Sequence, residues 1–223
     1  MISMTVCNDS NKLIIDGCPD AVKAISLEGN LAKRLADLSM HLHDLTEAED
    51  YLRAAQAIAS DTVIYRALAQ SAVVTFMKCF AQSKARSSLD RKILNGTDGG
   101  ALPSFQFFYD LRNKHIAHDE NPLSICSTFA LINDGKKPYK VEEVCALSMK
   151  ARVLEQAKLN ELAGLIETAK ASVDKQIAVV REKIIDQLDR ESYQELASRN
   201  APHLVTPHLS EVGKNRARVN QIT

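Results

Sequence analysis

A mainly α fold is what this sequence predicts: an up-and-down helical bundle, interrupted by one small β-hairpin and followed by a long C-terminal helix. Three observations carry that expectation. Apolar residues recur every three or four positions along most of the chain, the period of a helix with one buried face. The 223 residues include only 8 Gly and 6 Pro, too few for the many turns of an all-β chain. Hydrophobic residues make up 45% but aromatics only 5%, with no Trp, so the core must be built mainly from Leu, Ile, Val and Ala. The length suits one domain with appendages. The boundaries read as an N-terminal arm over 1–20, a bundle over 21–190 and a tail over 191–223.

Taken in order, the arm is polar and loose, with Gly17, Pro19 and at most a short strand at Lys12–Ile15. From about Pro19 to Ser60 the pattern is helical, with Leu27, Leu31, Leu35 and Leu38 on one face. Thr46-Glu47-Ala48-Glu49 has the form of a capping box and predicts a break there, with a second helix running to about Ala59. A third helix is expected from Asp61 to about Lys84, its broad apolar face formed by Val63, Ile64, Leu68, Ala72, Phe76 and Phe80. Ser88 is placed to cap a short helix over Leu89–Leu94, and Asn95–Gly100 reads as a flexible loop. Pro103 suits the first turn of the next helix, which should end before Pro122. At 123–147 the period becomes two, through Leu123, Ile125, Ser127, Phe129 and Leu131. Asn133-Asp134-Gly135 signals a hairpin turn, and Tyr139, Val141 and Val144 supply the return strand. The long helix then follows, with Leu162, Ile166, Ala169, Val173, Ile177, Val180, Ile184 and Leu188 forming a stripe that serves either as core or as a face for a partner helix. Gly164 weakens it locally. Pro202, Pro207 and the basic Lys214, Arg216 and Arg218 predict a mobile, solvated tail rather than an RNA contact.

Charge and cysteine usage narrow the function. Lys+Arg and Asp+Glu balance at 28 each, so the basic signature of a nucleic-acid-coating protein is missing, and any such contact must be local or built by two chains together. The five cysteines, at 7, 18, 79, 126 and 145, are scattered and form no CxxC pair, which favours free thiols in a reducing compartment. The N-terminal residues do not read as a signal peptide, and the apolar runs are too short to span a bilayer. A cytoplasmic protein without membrane contact is expected. No GxxxxGK[ST] or GxGxxG occurs.

The chemistry concentrates in Leu111-Arg112-Asn113-Lys114-His115-Ile116-Ala117-His118-Asp119, close behind the aromatic run Phe105-Gln106-Phe107-Phe108-Tyr109. Arg112 is a permanent cation able to fork onto a phosphate, and His118 can exchange a proton near neutral pH. On one ideal helix, six residues at roughly 100° each leave them about 120° apart. Both reach one phosphate only if the helix frays before His118 or a second chain completes the site. The bland alternative makes Arg112 a salt-bridge partner and His118 a cation at a helix C-terminus. His115, His118 and Asp119 could also offer ligands to a metal, but His41 and His43 diverge on a helix and supply no second pair, so no metal and no cofactor is expected. His41 and His43 read as surface or groove residues, Asp37, Asp44 and Glu47 as a solvated face, and Cys79 as core packing.

Arg112-Asn113 followed by His118 resembles the HEPN superfamily, in which Arg, a polar residue, a few more residues and then His close the third helix of a bundle. Lys114-His115-Ile116-Ala117-His118-Asp119 is similar to the abortive-infection-type branch, whose motif resembles Arg-Asp-Lys-His-Ile-Ala-His. The order of the preceding helix at 61–84 and the long helix after the hairpin is similar too. The resemblance covers about 25–190, and only the motif is specific. Glu120 stands where one subgroup carries a Tyr two positions after the His, so modification of such a Tyr by a partnered nucleotidyltransferase is not implied. What the resemblance implies is a metal-independent endoribonuclease, a toxin or antiphage effector, acting as a homodimer with the motif helices facing each other and with a cognate antitoxin as a further partner. RNA carries its own nucleophile, the 2′-hydroxyl. His118 then serves as acid/base, Arg112 as electrostatic clamp, Asn113 as a hydrogen-bonding orienter, and Lys114 and His115 as phosphate contacts. Two competing functions remain: a non-catalytic interaction module using the 153–190 stripe, with Leu162 and Val173 at the interface, and RNA binding without turnover.

Overall fold

The computed structural model describes residues 3–7, 12–16, 18, 20–59, 62–94, 101–118, 120–151, 154–202 and 208–214. The elements run β1 (Ser3–Cys7), β2 (Lys12–Asp16), α1 (Gly29–Gln56), α2 (Val63–Lys78), α3 (Ala101–Leu111), β3 (Ser124–Ile132), β4 (Val141–Lys150), α4 (Gln156–Leu188) and α5 (Tyr193–Ser198). A 3-10 turn at Arg91–Leu94 precedes α3, and a π turn at Arg112–Ile116 follows it directly. Among the described residues the fold is mainly helical, with two separate antiparallel strand pairs, β1–β2 and β3–β4. No helix among the described residues is long and apolar enough to cross a membrane. The chain divides into two compact units, one of residues 36–179 and one of 1–35 with 180–223.

In the unit of 36–179 the core is aliphatic and lined with small residues, as the composition requires. The α1 residues Leu38, Leu45, Ala48, Leu52 and Ala55 are buried. Their spacing of three, four or seven runs straight through Thr46, and no Gly or Pro interrupts it. The continuous buried stripe outweighs the local capping signal, so α1 is one helix of 28 residues where the sequence predicts two, and it begins at Gly29 rather than near Pro19. In α2 the buried side is Tyr65, Ala69, Ala72, Val73, Phe76 and Met77. Thr62 caps the helix, its hydroxyl accepting from the Tyr65 amide at 3.1 Å. Val63 and Ile64, expected in the core, are 71% and 61% exposed because they lie off the buried side, which begins with Tyr65 in the same turn. Asp61, the expected cap, lies outside the described residues, as do the Asn95–Gly100 loop, Gly17, Pro19, Pro207, Arg216 and Arg218. The predicted helix over 89–94 is a 3-10 turn, and Asp90 rather than Ser88 initiates it by accepting from the Lys92 amide at 2.9 Å.

Phe105, Phe108 and Leu111 bury one side of α3. The Phe80 and Phe105 rings meet edge to face at 4.9 Å between centroids, and Phe76 touches both, which docks α3 onto α2. Helix α4 contributes Leu159, Leu162, Leu165, Ile166, Ala169 and Val173. Polar contacts fix its register: Ser104 Oγ donates to Glu161 at 2.8 Å, Lys170 Nζ to Glu49 at 2.5 Å, and the Tyr65 hydroxyl to the Leu154 carbonyl at 2.9 Å. The α4 stripe is therefore core in this unit, with Leu162 and Val173 fully buried, and those two residues offer no face to a partner.

The hairpin between α3 and α4 is longer than the sequence predicts. Strands β3 and β4 pair from Ser124↔Lys150 to Ile132↔Val141, with an irregularity after Leu131. The Ala151 amide, donating to Leu123 O at 2.8 Å, closes the base. At the tip the connection is a wider loop, not a two-residue turn. Asn133 accepts from the Gly135 amide at 2.9 Å, and Gly135 takes φ +78°, the left-handed region.

In the second unit β1 and β2 pair antiparallel from Ser3↔Asp16 to Cys7↔Lys12, so the expected strand at Lys12–Ile15 has a partner that the polar sequence does not announce. Val180 and Ile184 of α4 are buried. Beyond Arg190 the chain still forms α5, started by a reciprocal capping box between Ser192 and Glu195. Lys23 Nζ closes the other end, donating to the carbonyls of Ala197 at 2.5 Å and Arg199 at 2.7 Å.

Gly164 sits on the exposed side of α4, and a Cβ built there meets nothing within 4 Å. Gly164→Ala should stabilise the protein by about 0.5–1 kcal/mol, because alanine loses less backbone freedom on folding. Chemical denaturation of the two proteins checks this, with a higher midpoint expected at unchanged slope.

Candidate functional site

The motif lies where the α-helix changes character. After Leu111 the backbone widens, and the Ala117 amide reaches back five residues to the Arg112 carbonyl at 2.9 Å. A π turn takes in one more residue than an α turn, which shifts the angular order of everything after it; such turns are rare and frequent at functional sites. The chain then bends at Ala117, and the Glu120 amide closes onto the Lys114 carbonyl at 2.9 Å. The ideal-helix angle between Arg112 and His118 therefore does not apply, and His118 stands outside the helix, as the fraying expectation requires.

The side chains divide into two groups. Arg112 and Asn113 are half-buried and joined, Arg112 Nη1 donating to Asn113 Oδ1 at 2.6 Å. Among the described residues Arg112 has no carboxylate partner. His115 is half-buried, with Nδ1 3.2 Å from Asn121 Oδ1. An amide oxygen only accepts, so Nδ1 carries the proton and the lone pair sits on Nε2. Asn121 also accepts from the Leu123 amide at 3.2 Å, and so starts the turn into β3 while holding the ring. In the sequence only the Asn121-Pro122 dipeptide, a turn signal, marks this residue. Lys114 pairs with Asp110 at 3.0 Å instead of standing ready for phosphate. Gln106 and Lys114 together hold the Asp110 carboxyl below the usual carboxylate range. His118 is exposed, and no hydrogen bond or ion pair joins it to Arg112 among the described residues. Asp119 lies outside the described residues. Among the described residues no three His, Cys, Asp or Glu side chains are grouped so as to hold a metal ion.

A second polar constellation, not anticipated as such, lies inside the same unit. Asp37, His41 and Asp44 fall on one face of α1 and are buried, which overturns the reading of the two aspartates as solvated and of His41 as a surface or groove residue. Their spacing of four and three is the stripe that also carries Leu38 and Leu45, so burial was legible there and charge alone misled. They are buried because the segment after α2 folds back over them. Asp44 accepts from Arg86 Nη2 through one oxygen and from Lys78 Nζ at 2.8 Å through the other. Asp37 accepts from the Ser87 amide at 2.9 Å and its hydroxyl at 2.8 Å. His41 Nε2 donates to the Ser87 carbonyl at 2.7 Å. Cys79 packs beside them as expected, its thiol pushed up to about 12 mainly by burial, which makes it inert as a nucleophile.

Burial pushes the Asp44 carboxyl up, but the hydrogen bonds and charges of Lys78 and Arg86 outweigh it and hold the group below its ordinary value. Burial lowers His41, and the donated bond to Ser87 only partly offsets that. No protein-family model, no curated protein and no solved structure matches the chain.

Two outcomes follow for stability. Asp44→Ala leaves Arg86 buried without its counter-charge and should cost about 3–5 kcal/mol, measured by denaturation. His41 binds its proton more weakly folded than unfolded, so its contribution is complete above the unfolded value of about 6.5 and is lost as pH falls below that. The melting temperature should decline as pH is lowered from 7 into the acid range, and His41→Gln should flatten the first part of that decline. An unchanged slope in the variant would show that His41 does not drive it.

Proposed function

We propose that the chain is a metal-independent endoribonuclease of the HEPN type, a toxin or antiphage effector that works as a homodimer. The observation that supports this most is the state of Arg112: a guanidinium at a π turn, half-buried, bonded to a neutral amide and lacking a carboxylate among the described residues. Its charge remains available for an anion, and its fork matches a phosphate. Asn113 fixes the fork, and His118 follows on an exposed bend within the same short segment.

In this mechanism the 2′-oxygen of RNA attacks the adjacent phosphorus as an imidazole accepts its proton. The bond from phosphorus to the 5′-oxygen breaks, and that oxygen takes a proton from an imidazolium. The products are a cyclic phosphate and a 5′-hydroxyl end. Arg112 stabilises the charge that builds on the phosphoryl oxygens. His118 is the acid/base, and the partner subunit's copy of the motif supplies the second proton-transfer group. His115, donating from Nε2 in its imidazolium form, and Lys114, released from Asp110, contact neighbouring phosphates. A cognate antitoxin would cover this surface.

Purified protein incubated with total and transfer RNA in EDTA should leave cyclic phosphate ends. His118→Ala and Arg112→Ala should each reduce cleavage by about 100-fold or more, and Arg112→Lys should not restore it, since a point charge lacks the fork. Cleavage that persists in both alanine variants sinks the assignment. Binding that weakens with salt but never leads to cleavage would leave RNA recognition without turnover.

A further inference from the structure

The β3–β4 hairpin is amphipathic, and its apolar face is uncovered. Strand alternation places Ile125, Phe129 and Leu131 of β3 beside Cys145, Leu147 and Met149 of β4 on one face, through the pairs Ile125↔Met149, Ser127↔Leu147 and Phe129↔Cys145. Phe129 is 44% exposed and Leu147 52%, and Ile125, Leu131 and Met149 lie close to those values. The other face carries Ser124, Cys126, Thr128, Ser148 and Lys150, and turns apolar only toward the tip. Strands of nine and ten residues make an arm about 30 Å long. No other element of its unit packs along it; apart from Ser124 and Cys145, every residue of the two strands is exposed.

Such an arm does not support itself. An isolated two-stranded hairpin is marginal in water, and independent stability takes a third strand or a packed face. We infer that the apolar face of β3–β4 is a dimerisation surface, occupied by the same face of a second copy of this chain across a two-fold axis. The area decides for a copy. Five large side chains, half-exposed at about 200 Å² each, leave on the order of 500 Å² open per chain. That is near the upper end of what a monomer leaves uncovered, 300–600 Å². Two such faces stacked as sheets pack, about 10 Å apart, bury on the order of 1,000 Å² in total, the least that a specific interface needs. A copy also brings a second layer of equal length and width, with no charge in its middle, which an isologous contact provides by symmetry. Glu143 lies on this face opposite Leu131, at its tip end, and Lys136, Lys137, Lys140 and Glu142 sit at the tip, so the charges flank the stretch of Ile125, Phe129, Leu147 and Met149 rather than interrupt it. This inference does not rest on the ribonuclease reading.

Sedimentation equilibrium on the full chain tests it, with neighbouring positions that face opposite ways. Phe129→Lys and Leu147→Lys should each weaken self-association by at least about 100-fold, since each buries an unpaired ammonium. Thr128→Lys adds the same charge on the other face of the same strand and should leave the dimer intact. Circular dichroism keeps the comparison honest, because the helices report the fold independently of the arm. A wild-type chain that is monomeric at 100-micromolar concentration, to take a working order of magnitude, overturns the inference. So does a dimer that survives both face substitutions, although that dimer would still be free to pair its motif helices and build the composite ribonuclease site. Retention of wild-type protein on neutral lipid vesicles, with no self-association in solution, would overturn it in favour of a lipid surface.

Discussion

The buried contact between Asp44 and Arg86 is the constraint on which the central unit hangs. The described part of the connection after α2, residues 79–94, has little regular structure, and its backbone needs partners once it leaves water. It finds them on one face of α1. Asp44 takes the Arg86 guanidinium and the Lys78 ammonium, Asp37 takes the Ser87 amide and hydroxyl, and His41 satisfies the Ser87 carbonyl. Pairing also explains why these aspartates can be buried at all: an isolated buried carboxylate would cost far more than a hydrophobic side chain of its size gains. The Leu89 amide then bonds to the Cys79 carbonyl at 2.9 Å, and Leu89 and Leu94 enter the core. The chain after α2 thus follows a route that these polar contacts and the burial of Leu89 and Leu94 define together.

What the sequence made legible follows from the kind of signal involved. Long-range periodicity was reliable. The stripe of α4 and the Phe76 and Ala72 side of α2 are core, and the period-two stretch is a hairpin. Short signals were reliable only where nothing larger opposed them. Thr62 and the Ser192–Glu195 box do cap helices, whereas Thr46-Glu47-Ala48-Glu49 has the same form and caps nothing, because the apolar stripe on both sides of it is continuous. The aspartates of α1 were misread for a related reason. Their helical positions indicated burial while their charge indicated solvent, and the partners that resolve the conflict lie more than 30 positions away in sequence.

At the motif, the segment Arg112–His118 was legible as a place of unusual composition at a helix end. The π turn was not, because no residue pattern announces it; it shows only in the Ala117 amide reaching back to the Arg112 carbonyl. The roles of Lys114 and His115 depend equally on neighbours. Asp110, four residues before Lys114, was visible in the sequence as an ion-pair partner. Asn121, six residues after His115, follows no helical spacing and comes into reach only because the helix has ended.

The motif and the arm are structurally continuous, and this constrains how a site could work. Asn121 holds the His115 ring through the same oxygen that accepts from the Leu123 amide, and Leu123 closes the base of the hairpin through its carbonyl to Ala151. The base of the arm and the His115 ring therefore share one acceptor, Asn121 Oδ1. Arg112 and Asn113 sit on the other side of the π turn, tied to each other and anchored by the buried Phe108 and Leu111 of α3. The permanent charge is thus held at the end of the packed helix α3, while the His115 ring is held from the entry to the arm, so the two groups are positioned by different elements of the same unit.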